Sequence, residues 1–271
     1  MRERRRLALG LALLALVAGA PARAAAEPCE VVHEAPLPAS ASGELVLPVV
    51  VHYMKSSEAA HDEHDVEDVF PRERLERYFR RTGTINRIWA QAGITLVLHR
   101  LERCLYRPAD YPGAGPEERI DPFGAPGLRN FLAVVERYNF RPARGVDLYF
   151  WWAIKGYEGY SRPYTLSDGT RTTGAVWVDR RCVTRAAAAC PRLIAHEIGH
   201  FLGLCHVCRL PGEARTGCTA CVGPWDRLPL CGAAAAPRAR LMRSDFNGHT
   251  LDACETARAG AQARERVQGA P

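Results

Sequence analysis

Residues 196–206 read HEIGHFLGLCH, with two histidines four positions apart and a third histidine six positions further on. On a helix, His196 and His200 project from the same face about one turn apart, which is the spacing of two ligands for one zinc ion. Gly203 can end the helix by adopting a positive φ. We expect the reversed chain to supply His206 as a third ligand.

The same motif predicts a catalytic zinc site. Three neutral imidazoles leave one position of a tetrahedral zinc ion for water, which distinguishes a catalytic site from a closed structural one. Glu197 directly follows the first histidine, and its carboxylate can take a proton from that water and pass it to the leaving amine. The pattern therefore predicts one zinc ion and Glu197 as the general base.

Two segments resemble the metzincin clan of metalloproteases. HEIGHFLGLCH resembles the extended zinc signature of that clan, and the matching residues are His196, Glu197, His200, Gly203 and His206. LMRS, at residues 241–244, resembles the methionine turn that metzincins place beneath the metal, which implies that Met242 forms an apolar floor under the imidazoles. Ser244 stands where several subfamilies have a tyrosine. The compact secreted organisation is similar to that of pappalysin-like or related small bacterial-type metzincins.

This resemblance implies a fold of the α+β class. The expected architecture is a metzincin-like (zincin) catalytic domain with a twisted mixed sheet, an active-site helix and a small C-terminal subdomain. It also implies that GAVWVD, residues 174–179, is the edge strand against which an extended peptide substrate adds as another strand. The residues assigned to this edge strand are Gly174, Ala175, Val176, Trp177 and Val178.

Hydrophobic patterns predict the other elements. LVLPVVVHYM predicts a strand in which Pro48 marks an edge position or a strand start, and ITLVLHRL and VDLYFWWAI predict further strands. Apolar residues at three- and four-residue spacing predict a helix over residues 71–91, which Gly83 bends or splits and Gly93 ends. Helices are also predicted over residues 128–139 and 187–204.

A last helix is predicted from about Leu251, with Thr250 as its N-cap. The N-terminus combines MRERRR, a short apolar run and small-residue sites near Ala24 and Ala26, which predicts a signal peptide over residues 1–26. An uncleaved membrane anchor is the alternative. An extended lead over residues 27–43 and a catalytic domain over residues 44–271 follow, with the C-terminal subdomain at about 204–271.

Charge and hydropathy argue against some classes of partner and against a membrane-inserted protein. Removal of residues 1–26 takes away five arginines and one glutamate, so the formal charge falls from +6 to +2 and nucleic acid is not an expected partner. No later apolar run is long enough to span a bilayer, so no stable membrane insertion is expected after cleavage. We therefore predict a secreted protein, either extracellular or periplasmic.

The chain has ten cysteines, all beyond residue 26, and this even number in an exported chain predicts disulfides of open connectivity. Two alternatives remain: a structural zinc site at the CxxC pairs of residues 205–208 and 218–221, and latency through a Cys29 thiolate on the catalytic zinc. HDEHD, at residues 61–65, could bind calcium, although a solvated loop is the simpler interpretation.

These patterns together predict a secreted zinc-dependent endopeptidase that acts on a protein or peptide substrate. Two other functions fit the same motif. One is a non-catalytic zinc-bearing binding module, which Glu197 argues against because a structural site needs no carboxylate beside an open coordination position. The other is a zinc amidohydrolase that acts on cell-wall peptides.

Overall fold

The computed structural model describes residues 29–37, 44–56, 66–106, 119–120, 145–151, 153–154, 158–162, 175–186, 189–204, 241–242 and 248–268. Its strands are β1 (Glu30–Glu34), β2 (Leu45–Ser56), β3 (Ile94–Tyr106), β4 (Arg119–Ile120), β5 (Val146–Trp151), β6 (Ala153–Ile154), β7 (Gly159–Arg162) and β8 (Ala175–Asp179). Its helices are α1 (Val66–Val69), α2 (Arg72–Phe79), α3 (Thr84–Trp89), α4 (Arg181–Ala186), α5 (Cys190–Phe201) and α6 (Ala253–Gln268), and a 3₁₀ turn (Ala90–Ala92) follows α3.

The main sheet has six strands in the order β1-β3-β2-β5-β8-β7. Its four central strands are parallel to one another, whereas β1 and β7 are antiparallel additions at the two ends. Strands β4 and β6 form a separate parallel pair. The sheet is therefore mixed, and the predicted α+β class with a mixed sheet and a motif-bearing helix is confirmed.

The expectation that Pro48 marks an edge strand is wrong, because β2 lies inside the sheet between β3 and β5. Pro48 is paired with Val97 of β3, and the pairing of β2 with β5 begins only at Val49. A Cβ atom on Gly145 would lie 2.6 Å from the Pro48 carbonyl oxygen, so the chain enters β5 directly beside the proline. The proline thus occupies a position where only one neighbouring strand is paired.

The helix predicted over residues 71–91 is present and is split at the predicted glycine. Helix α2 ends at Phe79, and α3 begins after Gly83, which is its extended N-cap residue. Gly93 has a φ of 67° and ends the 3₁₀ turn, as the pattern predicts. The buried Asn86 side chain accepts a hydrogen bond from the Leu96 N–H (2.8 Å) and donates one to the Leu96 carbonyl (2.9 Å), which ties α3 to β3.

One apolar core lies between the sheet and the helices. It contains side chains from one face of β2, β3, β5 and β8, together with residues of α2, α3, α5 and α6. Residues 193–199 of α5 are all buried in or beside this core. Because this part of α5 is buried, the side chains that it carries have well-defined positions.

Both ends of the predicted motif helix are defined by local structure. Pro191 lies in the first turn of α5. Gly203 has a φ of 77°, and the Leu204 N–H donates to the Gly199 carbonyl (2.8 Å), so the helix ends where the pattern predicts. The last helix is also present, but Thr250 as its N-cap is wrong. Asp252 and Glu255 instead exchange side chain to backbone hydrogen bonds of 2.9 and 2.7 Å in a reciprocal cap.

Disulfides hold both the N-terminal strand and the motif helix. Cys29, just before β1, is bonded to Cys104 of β3, and Cys182 of α4 is bonded to Cys190, the first residue of α5. Cys254 is also disulfide-bonded. The disulfide prediction is confirmed for these five cysteines. Latency through Cys29 is wrong for this state, because its sulfur is bonded to Cys104 and is not a thiolate.

Several predictions lie outside the described residues. They are the signal peptide, the HDEHD loop, the helix over residues 128–139 and the CxxC pairs of residues 205–208 and 218–221. Residues 205–240 of the predicted C-terminal subdomain also lie outside, so its bounds stay a prediction. Within the described ranges, no helix has the length and apolar content needed to cross a membrane.

Candidate metal centre

Helix α5 places the imidazoles of His196 and His200 side by side, with ring centroids 4.8 Å apart and planes at 88°. The Nδ1 atom of His196 lies 2.7 Å from the Leu241 carbonyl, and that of His200 lies 2.8 Å from the Leu204 carbonyl. Because a carbonyl can only accept, each Nδ1 carries the proton and each Nε2 carries the lone pair. This is the tautomer that an Nε2 metal ligand requires.

The two carbonyls come from two separate segments of the chain. Leu204 follows Gly203, whose positive φ turns the chain back toward His200. Leu241 comes from a distant segment, and its N–H donates to the Thr250 carbonyl (2.8 Å) just before α6. Both histidines are therefore oriented by backbone carbonyls. A metal-binding histidine usually donates its second ring N–H to a group of this kind.

Met242 packs against the motif helix at Gly199. Its side chain is fully buried, and a Cβ atom on Gly199 would lie 2.5 Å from the Met242 Sδ atom. The helix therefore has a glycine next to His200 because the methionine approaches its backbone. Our sequence analysis missed this requirement. The available signal was a glycine inside a helix, where it is less favourable than alanine by about 1 kcal/mol.

We expect Gly199→Ala to lower the free energy of unfolding by about 1–3 kcal/mol, because the added methyl group overpacks a buried site. Gly260→Ala in α6 is the matched control. The nearest atom to a Cβ at that glycine is 3.6 Å away, so the helix propensity of alanine should raise stability there by roughly 0.5–1 kcal/mol. Urea denaturation of both variants measures the difference. A Gly199→Ala protein that gains as much stability as the control would contradict the packing role of Met242.

Glu197 lies in the next position around the helix and is only 3% exposed. Burial raises the pKa of Glu197 to about 8, because desolvation disfavours the charged carboxylate. Its side chain lies against β7: a Cβ atom on Gly159 would be 2.8 Å from Glu197 Cγ and 3.0 Å from Oε1. A carboxylate in these surroundings is a stronger base than an exposed one.

The predicted edge strand is wrong. Strand β8 pairs with β5 on one side and with β7 on the other, so it is an inner strand. Val176, Trp177 and Val178 are fully buried, and Ala175 begins the strand, whereas Gly174 lies outside the described residues. A run that is apolar on both faces is typical of an inner parallel strand. Among the described strands, the shorter and more polar β7 is the edge beside Glu197.

The structure thus brings together His196, Glu197 and His200, with Gly203 at the helix end and Met242 beside the helix. His206 lies outside the described residues, so its place in the ligand set stays a prediction. Two imidazoles that lie side by side with Nε2 lone pairs are a donor set that fits zinc. The residues present therefore fit the metal that the motif predicts.

Helix α6 supports the C-terminal end of the motif helix. The Arg266 guanidinium donates to the Phe201 carbonyl (2.7 Å) and lies 3.8 Å above the centroid of the Phe201 ring. The last carbonyl groups of a helix lack intrahelical partners, so this arginine satisfies one of them while also making a cation–π contact. The end of α5 that carries His200 is therefore anchored to a second helix.

A second cluster of ligand-type side chains lies on the other face of the sheet. One donor atom each from Cys29, His52, Glu102 and Cys104 lies within 4.8 Å of the others. The two sulfurs form a disulfide, so they cannot act as thiolate ligands. The His52 ring lies between two carboxylates, with Nδ1 3.0 Å from Glu102 and Nε2 3.0 Å from Asp147.

This second cluster is an ion-pair network rather than a metal centre. Burial is the largest single influence on His52 and lowers its pKa, but hydrogen bonds and charges from Asp147 and Glu102 together raise the pKa above its ordinary value of 6.5. Arg100 neutralises part of the negative charge through a 2.8 Å contact with Glu102. Sequence analysis missed the network because its members lie on three strands and meet only through strand register.

The described residues thus define an α+β protein with a candidate metal centre on a buried helix. No family model and no curated protein matches the chain. Among solved structures, mature mirolysin of Tannerella forsythia in complex with a cleaved peptide is similar, with a TM-score of 0.49 and 14% sequence identity over 86% of this chain and 97% of that one. A similarity of this size carries no argument about function, which therefore rests on the site itself.

Proposed function

We propose that this protein is a secreted zinc-dependent endopeptidase of the metzincin type. His196, His200 and His206 would hold the zinc ion, and Glu197 would act as the general base. The observation that carries the proposal is the pair of Nδ1–H hydrogen bonds from His196 and His200 to backbone carbonyls, which put a lone pair on both Nε2 atoms, on the helix that also carries the buried carboxylate of Glu197. The predicted signal peptide and the disulfides support export.

A side chain of the protein itself carries out the proton transfers. Bound zinc would act as a Lewis acid toward the scissile carbonyl and lower the pKa of the attacking water. Glu197 takes the proton of that water and then donates it to the leaving amine. Because burial raises the pKa of Glu197, its carboxylate holds the proton more firmly between these two transfers than an exposed glutamate would. Leu204 and Leu241 keep the imidazoles oriented through their carbonyls.

The substrate would lie along β7. This strand is the outermost described strand on the Glu197 side of the sheet, and an extended peptide can pair with such an edge through its main chain. Main-chain pairing predicts tolerance of many side chains. A pappalysin-like subfamily remains a prediction based on the overall plan of the sequence.

Two other functions remain to be separated from this one. A zinc amidohydrolase would need the same metal and base but would cut cell-wall peptides instead of proteins. A zinc-bearing binding module would need the metal and the edge strand but not the carboxylate. The burial of Glu197, which directly follows His196 on the helix, favours hydrolysis, because a buried acid without a function is energetically unfavourable.

The test is to incubate the oxidised, exported chain with a mixed peptide library and, separately, with cell-wall peptides. We expect about one zinc ion per chain, cleavage of library peptides at internal bonds, loss of cleavage with a chelator and recovery on adding zinc. Cleavage of cell-wall peptides alone would establish the amidohydrolase. A zinc-loaded protein that cuts neither would overturn the hydrolase proposal and favour the binding module.

A further inference from the structure

We infer that Gly159, in the edge strand β7, is a positioning residue for Glu197. This inference rests on the proposed function for its catalytic meaning, although the contact itself is a matter of geometry. The missing side chain at Gly159 creates the space that the Glu197 side chain occupies. A residue of any other type at this position would have to displace the general base or move β7 away from α5.

The geometry shows how little space there is. A Cβ atom built on Gly159 would lie 2.8 Å from Glu197 Cγ, 3.0 Å from Glu197 Oε1 and 3.1 Å from Leu193 Cδ1. Leu193 and Glu197 are four residues apart and so lie on one side of α5. This side of α5 packs against β7. His196 and His200 lie on the neighbouring side of the same helix.

Backbone conformation does not explain the glycine. The described glycines with positive φ are Gly93 and Gly203, and Gly159 is not among them. Gly159 pairs directly with Val178 in an antiparallel ladder, where a β-branched or aromatic residue would be more favourable. Glycine inside a strand often marks a close approach of another group, and here that group is the Glu197 side chain.

A methyl group at this position cannot be accommodated by a small rotation. Cγ is in the middle of the glutamate side chain, and the carboxylate is buried, so moving Cγ moves the whole acid. The alternative is that β7 moves away from α5, which also changes the distance between the base and a substrate on that strand. Either response should leave the two candidate histidine ligands in place, because they lie on the neighbouring side of the helix.

The first measurement is the activity and zinc content of Gly159→Ala. We expect kcat to fall roughly 10- to 100-fold, since an ångström-scale misplacement of a reacting group has effects of this order. Zinc content should stay at the wild-type level, and KM should change much less than kcat. Gly260→Ala, which adds a methyl group where the nearest atom is 3.6 Å away, should keep wild-type kinetics.

The second measurement is the Tm of the zinc-loaded proteins in a double-mutant cycle. Gly159→Ala should lower the Tm by several degrees when Glu197 is present and by much less in a Glu197→Ala background, where Cγ and Oε1 are absent. An equal decrease in both backgrounds, or an unchanged kcat in Gly159→Ala, would overturn the inference. If instead Glu197→Gln kept full activity, the proposed function would fail while the Tm cycle still tested the contact.

Discussion

Replacing Glu197 with glutamine should lower kcat/KM by a factor of roughly one hundred to ten thousand, because the variant has no group that can accept the proton of the attacking water. Glutamine has nearly the same shape, so it should fit the space beside Gly159 and leave zinc content unchanged. It is also neutral, and burial disfavours the charged carboxylate in the wild type. We therefore expect the Tm of the variant to equal or exceed that of the wild type.

The matched control is Glu76→Gln on α2. That glutamate forms an exposed pair with Arg72 at 2.6 Å, and we expect the control to keep wild-type kinetics. Peptide hydrolysis and zinc analysis should be measured on the same preparations of all three proteins. A Glu197→Gln protein that binds zinc and remains fully active would show that another group is the base.

Replacing His52 with alanine should lower the free energy of unfolding by about 3–5 kcal/mol, because it removes the buried cation between two carboxylates, so that Asp147 loses its contact with His52 and Glu102 keeps only Arg100. The variant also loses the stacking of the imidazole on Tyr149, whose ring centroid is 4.4 Å away. Urea denaturation measures this loss. Adding Asp147→Asn should restore part of the stability, since it removes the buried carboxylate that His52 Nε2 contacts in the wild type.

The control is His99→Ala in the same sheet. His99 is 3.9 Å from the exposed carboxylate of Glu34, and its Nδ1 lies 2.6 Å from the Ala35 carbonyl, so the loss of both contacts should lower stability by roughly 1–2 kcal/mol. His52 lies on the sheet face opposite α5, since its neighbours Val51 and Tyr53 point into the core that contains that helix. The folded His52→Ala protein should therefore keep zinc and kcat. Equal losses in the two histidine variants would contradict the ion-pair network.

The His52 network also predicts a pH dependence. Its pKa in the folded protein is raised above 6.5, so its contribution to stability is complete below 6.5 and is lost as the pH rises through the folded value. The groups that face the ring are Glu102, Asp147, Cys104 and Tyr149. An NMR titration of the ring, with His52→Ala used to assign its resonance, should give a pKa above 6.5. A lower value would mean that burial outweighs the carboxylates.

Some features of the protein depend only on the sequence of a few neighbouring residues. The four-residue spacing of His196 and His200 places them on one side of a helix in any fold, because the period of the helix is fixed. Gly203 ends that helix, and Gly93 ends the 3₁₀ turn, because glycine adopts a positive φ with little strain. Apolar runs likewise predicted the three long strands. Because His196, Glu197 and His200 lie within one short motif, two candidate ligands and the candidate base could be predicted from the sequence alone.

Other features depended on the tertiary structure. The sequence of β8 shows that it is apolar but not that β7 lies outside it, so the edge strand was assigned wrongly. The Leu241 carbonyl, the Met242 contact with Gly199 and the Gly159 contact with Glu197 each join segments that are far apart in sequence. The His52 network joins three strands through register. Local spacing determines side-chain direction within one element, whereas the order and register of distant elements depend on how the whole core packs.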